Sequence, residues 1–117
     1  MENGKERCCP VELTLRVIGG RWKVLILREL AKGTRRFNEL HRALTGVTQK
    51  MLAQQLREME RHGLILRKVY PQVPPKVEYS LTDSGKSLKP ILAAMHQWGS
   101  HHRPMLKILE KASETPQ

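Results

Sequence analysis

The sequence of 117 residues predicts one mainly α-helical domain that carries a small β-hairpin, an α+β fold. Apolar residues recur at helical spacing, as Leu52, Leu56 and Met59 do at i, i+4 and i+7. After Gly63 the period changes, and residues 77–81 alternate apolar and polar side chains, which is typical of a half-buried strand. A chain of this length can bury only a modest core.

Two short helices are predicted at the start of this domain. Pro10 suits the first turn of a helix, with Cys9 at the cap position, and the pair Gly19-Gly20 ends it. Residues 21–31 form the second predicted helix. Its inner face carries the large apolar side chains Trp22, Leu25, Ile26 and Leu30. A brief strand is expected over residues 35–37.

The next segment predicts two helices joined by a short turn. The first covers residues 38–44, with Asn38 as its cap, and Thr-Gly-Val at 45–47 is a tight connection. Thr48 then caps the second helix, because its side-chain oxygen can accept a backbone N–H of the first turn. A helix, a three-residue turn containing glycine and a capped helix make up the helix-turn-helix arrangement. Val47 is expected to fill the junction between the two helices.

A hairpin directly follows the second of these helices. Residues 64–70 and 76–81 are the predicted strands, and the tip between them, PQVPP at 71–75, is stiff because it holds three prolines. A hairpin in this position is the wing of a winged helix. Gln72 and Lys76 near its tip are candidates to reach the sugar-phosphate backbone or minor groove of DNA. A purely structural sheet edge is the alternative.

A longer last helix is predicted after Thr82, which caps it. Pro90 should kink this helix, and Gly99 should interrupt it before a second apolar patch beyond Pro104. Its apolar stripe exceeds what a small domain needs for its own core, so we expect the N- and C-terminal helices to form a homodimer interface. The candidate interface residues are Leu13, Val17, Leu88, Ile91, Leu92, Met95, Trp98, Met105 and Leu109. The alternative is that the last helix only covers its own domain.

Charge and hydropathy restrict the partners of the chain. The formal net charge is +10, and residues 35–76 hold nine lysines and arginines against three acids. A basic block of this kind predicts a polyanionic partner, although charge alone does not separate DNA from RNA or an anionic membrane surface. The sequence has no apolar run long enough to cross a membrane and no signal peptide, so we expect no membrane partner and a cytoplasmic location.

The expected domain organisation is simple. Residues 1–8 form a flexible N-terminal segment, residues 9–111 the winged helix-turn-helix domain, and residues 112–117 a disordered tail. Within the domain, 9–31 and 82–111 are the expected dimerisation helices.

The helix after Thr48 has a second face that suits DNA. That face carries Gln49, Lys50, Ala53, Gln54 and Arg57 and no carboxylate. Glutamine can pair with adenine in the major groove, and arginine or lysine can pair with guanine. We therefore predict Gln49, Lys50, Gln54 and Arg57 as base or near-base contacts. Thr48, Arg36 and Lys76 are better candidates for phosphate contacts. A helix that is merely solvated is the alternative.

The residues offer little support for an enzyme. No histidine, acid and nucleophile form a recognisable motif, and no glycine-rich phosphate loop is present. Cys8 and Cys9 are adjacent, which fits neither a disulfide framework nor a spaced zinc site, and His96, His101 and His102 are expected to be polar positions at a helix end. We expect no cofactor and no metal.

Four segments resemble the HxlR-type winged helix-turn-helix regulators of bacteria and archaea. They are CPVELTLRVIGGRWK (9–23), RRFNEL (35–40), GVTQKMLAQQLREMERHGLI (46–65) and VYPQVPPKVEYSLTDSGKSL (69–88). The resemblance covers nearly all of residues 9–99. It implies a dimeric, DNA-binding transcriptional regulator, usually a repressor and sometimes an activator, that dimerises through its first and last helices.

The resemblance also bears on the function of the N-terminal thiols. Some members sense electrophiles, oxidants or aldehydes through a cysteine that precedes Pro-Val-Glu, which here is Cys9, and Cys8 is an addition to that pattern. A thiol at a helix N-terminus meets the positive end of the dipole, which favours the reactive thiolate. The alternative is a small buried cysteine beside Pro10.

We therefore predict a repressor that binds a near-palindromic operator as a homodimer and is switched by thiol modification at Cys9. Two alternatives stay open: a regulator that answers to a small-molecule effector without thiol sensing, and a basic nucleic-acid-binding module without sequence preference.

Overall fold

The structure is a computed structural model that describes residues 9–105. It divides between Ser87 and Leu88 into two compact units. The N-terminal unit contains, in chain order, α1 (Pro10–Ile18), α2 (Trp22–Ala31), β1 (Arg35–Arg36), α3 (Phe37–Ala43), α4 (Gln49–Arg61), β2 (Ile65–Tyr70), β3 (Lys76–Leu81) and α5 (Asp83–Lys86). The C-terminal unit contains α6 (Lys89–His101). The predictions for residues 1–8 and 112–117, and for Leu109, lie outside the described residues.

The three strands form one antiparallel sheet in the order β1-β3-β2. The predicted hairpin is present, with Ile65 opposite Leu81 and Tyr70 opposite Lys76. The brief strand expected near residue 35 adds to the free edge of β3, where Arg36 is opposite Glu78. The prediction of a mainly helical fold with a small β-hairpin is confirmed.

The core of the N-terminal unit lies between its helices and one face of the sheet. The apolar stripe predicted for α4 is confirmed, because Leu52, Leu56 and Met59 are 0%, 2% and 0% exposed. Val47, which we expected to fill the junction ahead of α4, is buried. The other buried apolar side chains of this unit are Ile18, Ile26, Leu27, Leu30, Leu40, Leu44, Leu64, Ile65 and Tyr79.

Both ends of α4 are fixed by local hydrogen bonds. The Thr48 hydroxyl accepts the backbone N–H of Met51 at 3.0 Å, which is the predicted N-cap. At the other end Gly63 has a φ of +76°, a value that glycine adopts without the steric cost of a Cβ. This geometry lets Leu64 N–H reach the Met59 carbonyl at 3.0 Å, as in a Schellman motif. The helix is therefore held in length and register by its own sequence.

The start of α3 differs from the prediction. The helix begins at Phe37, with Arg36 as its N-cap residue, so Asn38 does not cap it. The reason is the acid at the third helical position, because the Glu39 carboxylate accepts the backbone N–H of Arg36 at 2.8 Å. An acceptor that reaches back in this way stabilises the helix start without an oxygen-bearing cap residue.

The prediction of a single long helix after Thr82 is also wrong. Thr82 caps only the short α5, by accepting the N–H of Gly85 at 3.0 Å, and a separate helix α6 begins at Lys89. Pro90 is therefore in the first turn of α6, where proline is tolerated, and it does not kink a longer helix. Gly99 does not interrupt α6, which continues to His101, because a single glycine costs a helix only about 1 kcal/mol.

Among residues 9–105, no helix has the length and apolar character needed to cross a membrane.

Candidate nucleic-acid interface

One side of α4 is exposed and rich in hydrogen-bond donors. Gln49, Lys50, Gln54 and Arg57 are all exposed, and they form what we call the α4 polar face. Ala53, between them, is partly buried and adds no bulk. The opposite side of α4 is the buried apolar stripe, so the helix cannot rotate without exposing its core residues. The structure therefore brings together the predicted base contacts on one surface of a firmly seated helix.

A buried lysine ties α4 to α2. Lys23 is 7% exposed, and its Nζ lies 2.6 Å from Oε1 of Glu58 on α4. Sequence reasoning missed this pair. The sequence does contain a signal for a buried lysine. Lys23 lies at helical spacing from Ile26, Leu27 and Leu30, so it occupies a position on the apolar stripe of α2. Buried cations are paired as a rule, and here the partner is an acid on the facing helix, Glu58.

The pair also holds Glu58 in its charged form. The hydrogen bond from Lys23, and then its charge, lower the pKa of Glu58 below the ordinary value of 4.5. A carboxyl group whose pKa is lowered by folding stabilises the native state above its unfolded pKa. That contribution is present at neutral pH and is lost as the pH falls through the lowered pKa. The seating of α4 is therefore coupled to the ionised state of Glu58.

The predicted wing carries a cluster of charged groups on the outer face of the sheet. Lys76 Nζ lies 3.3 Å from Oε2 of Glu78, and the Tyr70 hydroxyl donates to Oε1 of the same carboxylate at 3.1 Å. The ammonium groups of Lys68 and Lys76 lie 5.0 and 4.8 Å from the centre of the Tyr70 ring. Both distances are within the range of a cation–π contact. Lys76, a predicted phosphate contact, is thus held by groups of the wing itself.

Glu78 stays ionised within this cluster. Burial raises the pKa of Glu78, but the hydrogen bonds from Tyr70 and Lys76 and the charges of Lys76 and Arg36 outweigh it and hold the pKa below 4.5. Arg36, another predicted phosphate contact, is exposed on β1 directly opposite Glu78. Gln72 is exposed at the wing tip. Lys68 was not predicted as part of the site, although its alternation with Tyr70 along β2 places both on this face.

Cys9 is the N-cap residue of α1 and is exposed. Its carbonyl accepts the backbone N–H of Leu13 at 3.0 Å, and its side chain makes no cap hydrogen bond. The alternative of a thiol buried beside Pro10 does not describe this position, since Pro10 is itself exposed. Cys8 lies outside the described residues.

The predicted interface residues fall into three groups by exposure. Leu13 on α1 is 47% exposed, and Met95 and Trp98 on α6 are 47% and 55% exposed. Ile91 and Met105 are exposed as well, whereas Val17 and Leu92 are partly buried. Leu88 is only 8% exposed, so it has little surface to offer a partner. Val11 and Leu15, which are not among the predicted interface residues, are 66% and 55% exposed on α1.

The family model described as HxlR-like helix-turn-helix matches residues 17–107. The chain belongs to the HxlR-like helix-turn-helix family. Among curated relatives, the HTH-type transcriptional regulator YdeP of Bacillus subtilis (strain 168) is 51% identical over 104 residues, which cover 89% of this chain and 81% of YdeP.

Solved structures of HxlR-like relatives have the same fold. The redox regulator HypR in its reduced form matches with a TM-score of 0.81 and 50% identity, covering 85% of this chain and 98% of HypR. HypR in its oxidised form matches with a TM-score of 0.75 and 53% identity, covering 80% and 96% of the two chains.

Membership of the HxlR-like family confirms three expectations from the sequence analysis. The fold is a winged helix-turn-helix, in which α3 and α4 are the paired helices and the β2–β3 hairpin is the wing. The protein is a transcriptional regulator whose partner is DNA, and it is not an enzyme. The α4 polar face and the wing are the parts of this HxlR-like chain whose chemistry suits that partner.

Proposed function

We propose that two copies of this HxlR-type regulator bind a near-palindromic operator and repress transcription. Each copy places α4 in one of two successive major grooves, so that the half-sites lie about 34 Å apart. The observation that carries the proposal is the two-sided character of α4. Its apolar stripe is buried, while Gln49, Lys50, Gln54 and Arg57 are exposed together on the other side.

The residues of the interface divide into readers and positioning contacts. We assign Gln49, Lys50, Gln54 and Arg57 to base edges, with the small Ala53 allowing the helix backbone to approach the groove. Thr48, Arg36 and Lys76 are assigned to phosphates, and Gln72 at the wing tip to the backbone or the minor groove. Base contacts of this kind supply sequence discrimination, whereas phosphate contacts supply affinity that depends on salt.

The contact between the two copies is assigned to the exposed apolar residues of α1 and α6. Leu13, Met95 and Trp98 are each about half exposed, which is costly for side chains of this size unless a partner covers them. Ile91, Leu92, Val17 and Met105 belong to the same proposed interface, and Leu88 does not, because it is already buried. A two-fold dimer explains why the operator should be near-palindromic.

The reading of bases by Gln54 gives the first prediction. Replacing Gln54 by alanine should remove about 1–3 kcal/mol of discrimination between a selected operator and random DNA of equal length. The parent should discriminate on the order of 10³-fold or more. Equilibrium binding to both DNAs, after selection of the operator from a random library, measures the ratio.

Gln55→Ala is the matched control. Gln55 is the neighbouring glutamine on α4, partly buried, and its amide donates to Sδ of Met51 at 3.5 Å rather than facing the groove. This variant should keep the parental ratio. Lys76→Ala should instead weaken binding to both DNAs alike and flatten the salt dependence by about 0.9 in log–log slope. Equal loss of discrimination in Gln54→Ala and Gln55→Ala would contradict the proposed orientation of α4.

We also propose that Cys9 modification switches operator binding. The support is that HypR, a relative with 50% identity, is a redox regulator described in a reduced and an oxidised form. In this chain Cys9 is exposed at the start of α1, one of the two helices assigned to the dimer contact. A covalent change at this position would alter how the copies meet and hence the spacing of their α4 helices.

Diamide treatment tests the switch. Diamide oxidises two thiols to a disulfide and is itself reduced to the hydrazine, so thiol loss and operator binding can be measured on one sample. We expect affinity for the operator to change at least tenfold on treatment, an effect of about 1.4 kcal/mol. Reductant should restore it. Cys9→Ser should be unresponsive, while Cys8→Ser should tell which thiol reacts first. Unchanged binding after full modification of Cys9 would favour the alternative, a regulator that answers to a small-molecule effector.

A further inference from the structure

Glu78 has basic residues of all three strands as neighbours on the outer face of the sheet. The strand register places it between Arg36 on β1 and Lys68 on β2, both directly opposite it. Its own strand adds Lys76 at 3.3 Å, two residues away on the same face. Basic residues from all three strands therefore lie opposite or beside Glu78, and Lys76 is the one that forms an ion pair with its carboxylate at 3.3 Å. The Glu78 side chain remains 25% exposed, so the carboxylate is still accessible to solvent.

The contacts show that the carboxylate engages a residue assigned to DNA. Oε2 of Glu78 is the partner of Lys76, and Oε1 accepts the hydroxyl of Tyr70 at 3.1 Å. The Tyr70 ring in turn lies 4.8 Å from Lys76 Nζ. The ammonium group is thus held between a carboxylate and an aromatic face, and its side chain is 26% exposed. A phosphate that binds Lys76 has to compete with Glu78 for it.

We infer that Glu78 is an internal competitor of DNA phosphate for Lys76 and limits the affinity of the wing for DNA. The inference rests on the proposed contact of Lys76 with phosphate. In the free protein Lys76 is paired with Glu78. On DNA it exchanges the carboxylate for a phosphate, and Glu78 is left close to the negatively charged backbone. Both parts of this exchange make the free energy of DNA binding less favourable, because the Lys76–Glu78 ion pair is lost and Glu78 is repelled by the phosphates.

The consequence for the regulator is a lower affinity for all DNA, independent of sequence. Phosphate contacts supply most of non-specific binding. A regulator that must release non-operator DNA quickly benefits from an acid that weakens one such contact. Base reading by the α4 polar face is separate, so the ratio of operator to random binding should not depend on Glu78.

Glu78→Gln tests the inference. Glutamine keeps an oxygen that can accept the Tyr70 hydroxyl but removes the charge that holds Lys76. Binding to the selected operator and to random DNA is measured between 50 and 200 mM salt. Both affinities should rise by roughly 3.5-fold at the lower salt, and the log–log salt slope should steepen by up to about 0.9, the value of one phosphate contact. The ratio of the two affinities should stay within twofold of the parent.

Glu29→Gln is the matched control. Glu29 also pairs with a lysine, because Lys32 Nζ lies 3.0 Å from its Oε2, and its replacement changes the net charge by the same unit. It is on α2, which contributes none of the residues assigned to DNA. If Glu78→Gln binds DNA no more tightly than Glu29→Gln at every salt concentration, the inference is overturned.

A double-mutant cycle identifies the partner. In a Lys76→Ala background, Glu78→Gln should raise the logarithm of the affinity for DNA by less than half of the rise that it produces in the parent. The reason is that no Lys76 ammonium is left to release. An unchanged gain would show that Glu78 acts by repulsion alone and would overturn the exchange. Should Glu78→Gln melt early, Glu78→Thr offers a second neutral residue with good strand propensity, and the same tightening is expected.

The result separates this inference from the proposed function. If the parent does not discriminate operator from random DNA, or if Lys76→Ala binds like the parent, the proposed DNA contacts fail. If those hold and Glu78→Gln does not tighten binding, only the role of Glu78 fails.

Discussion

Leu52→Ala is expected to lower the free energy of unfolding by about 2–5 kcal/mol. Leu52 is 0% exposed and lies on the buried stripe of α4, one turn after the Thr48 cap. Its removal takes apolar atoms out of the core and leaves a cavity that the surrounding helices fill only in part. A domain of this size is stable by about 5–15 kcal/mol, so the variant should lose a large share of its stability.

Denaturant titration followed by circular dichroism measures the effect. Met51→Ala is the matched control, because Met51 is the preceding residue of α4 and is 37% exposed. It should cost less than about 1 kcal/mol, in keeping with a surface substitution. Operator binding by Leu52→Ala should fall with the folded fraction, since the seating of α4 and the orientation of its polar face depend on the same stripe. Equal losses in the two variants would contradict the placement of this helix.

Gly85→Ala is expected to destabilise the N-terminal unit by about 1–3 kcal/mol or more. Gly85 is buried in α5, and a Cβ at this position would overlap the backbone carbonyl of Leu64. That carbonyl already accepts the backbone N–H of Thr82 at 3.0 Å, and the Thr82 hydroxyl donates to the Gly63 carbonyl at 2.6 Å. The neighbour is backbone held on both sides, so it cannot move aside as a flexible side chain would.

Thermal melting of Gly85→Ala beside Ser84→Ala tests this close approach. Ser84 is the preceding residue of α5 and is exposed, so the same product residue there should change stability by no more than about 0.5 kcal/mol. The Gly85 variant should also weaken operator binding, because Gly63 and Leu64 terminate α4 and lead into the wing. A Gly85→Ala variant with the melting temperature of the parent would show that α5 does not pack closely against the Leu64 backbone.

Much of the site was predictable because its signals are local. The spacing of Leu52, Leu56 and Met59 determined which side of α4 is buried. That assignment left the α4 polar face, Gln49, Lys50, Gln54 and Arg57, on the outside. Thr48 caps through a bond within one turn, and the wing follows from alternation and prolines. The errors were at helix boundaries, where a residue three positions away, such as Glu39, decides which neighbour becomes the cap.

The sequence by itself determined the helix-turn-helix and its wing, the polar face of α4 and the position of Cys9 at a helix start, since each depends on contacts within a few residues. Only the tertiary structure decided which charges meet. Lys23 and Glu58 are 35 positions apart and pair across two helices, and the order of the three strands places Arg36 and Lys68 directly opposite Glu78. An ion pair forms where folding brings two opposite charges close together, because their attraction depends on the distance between them in space. The number of residues between them in the sequence does not predict that distance.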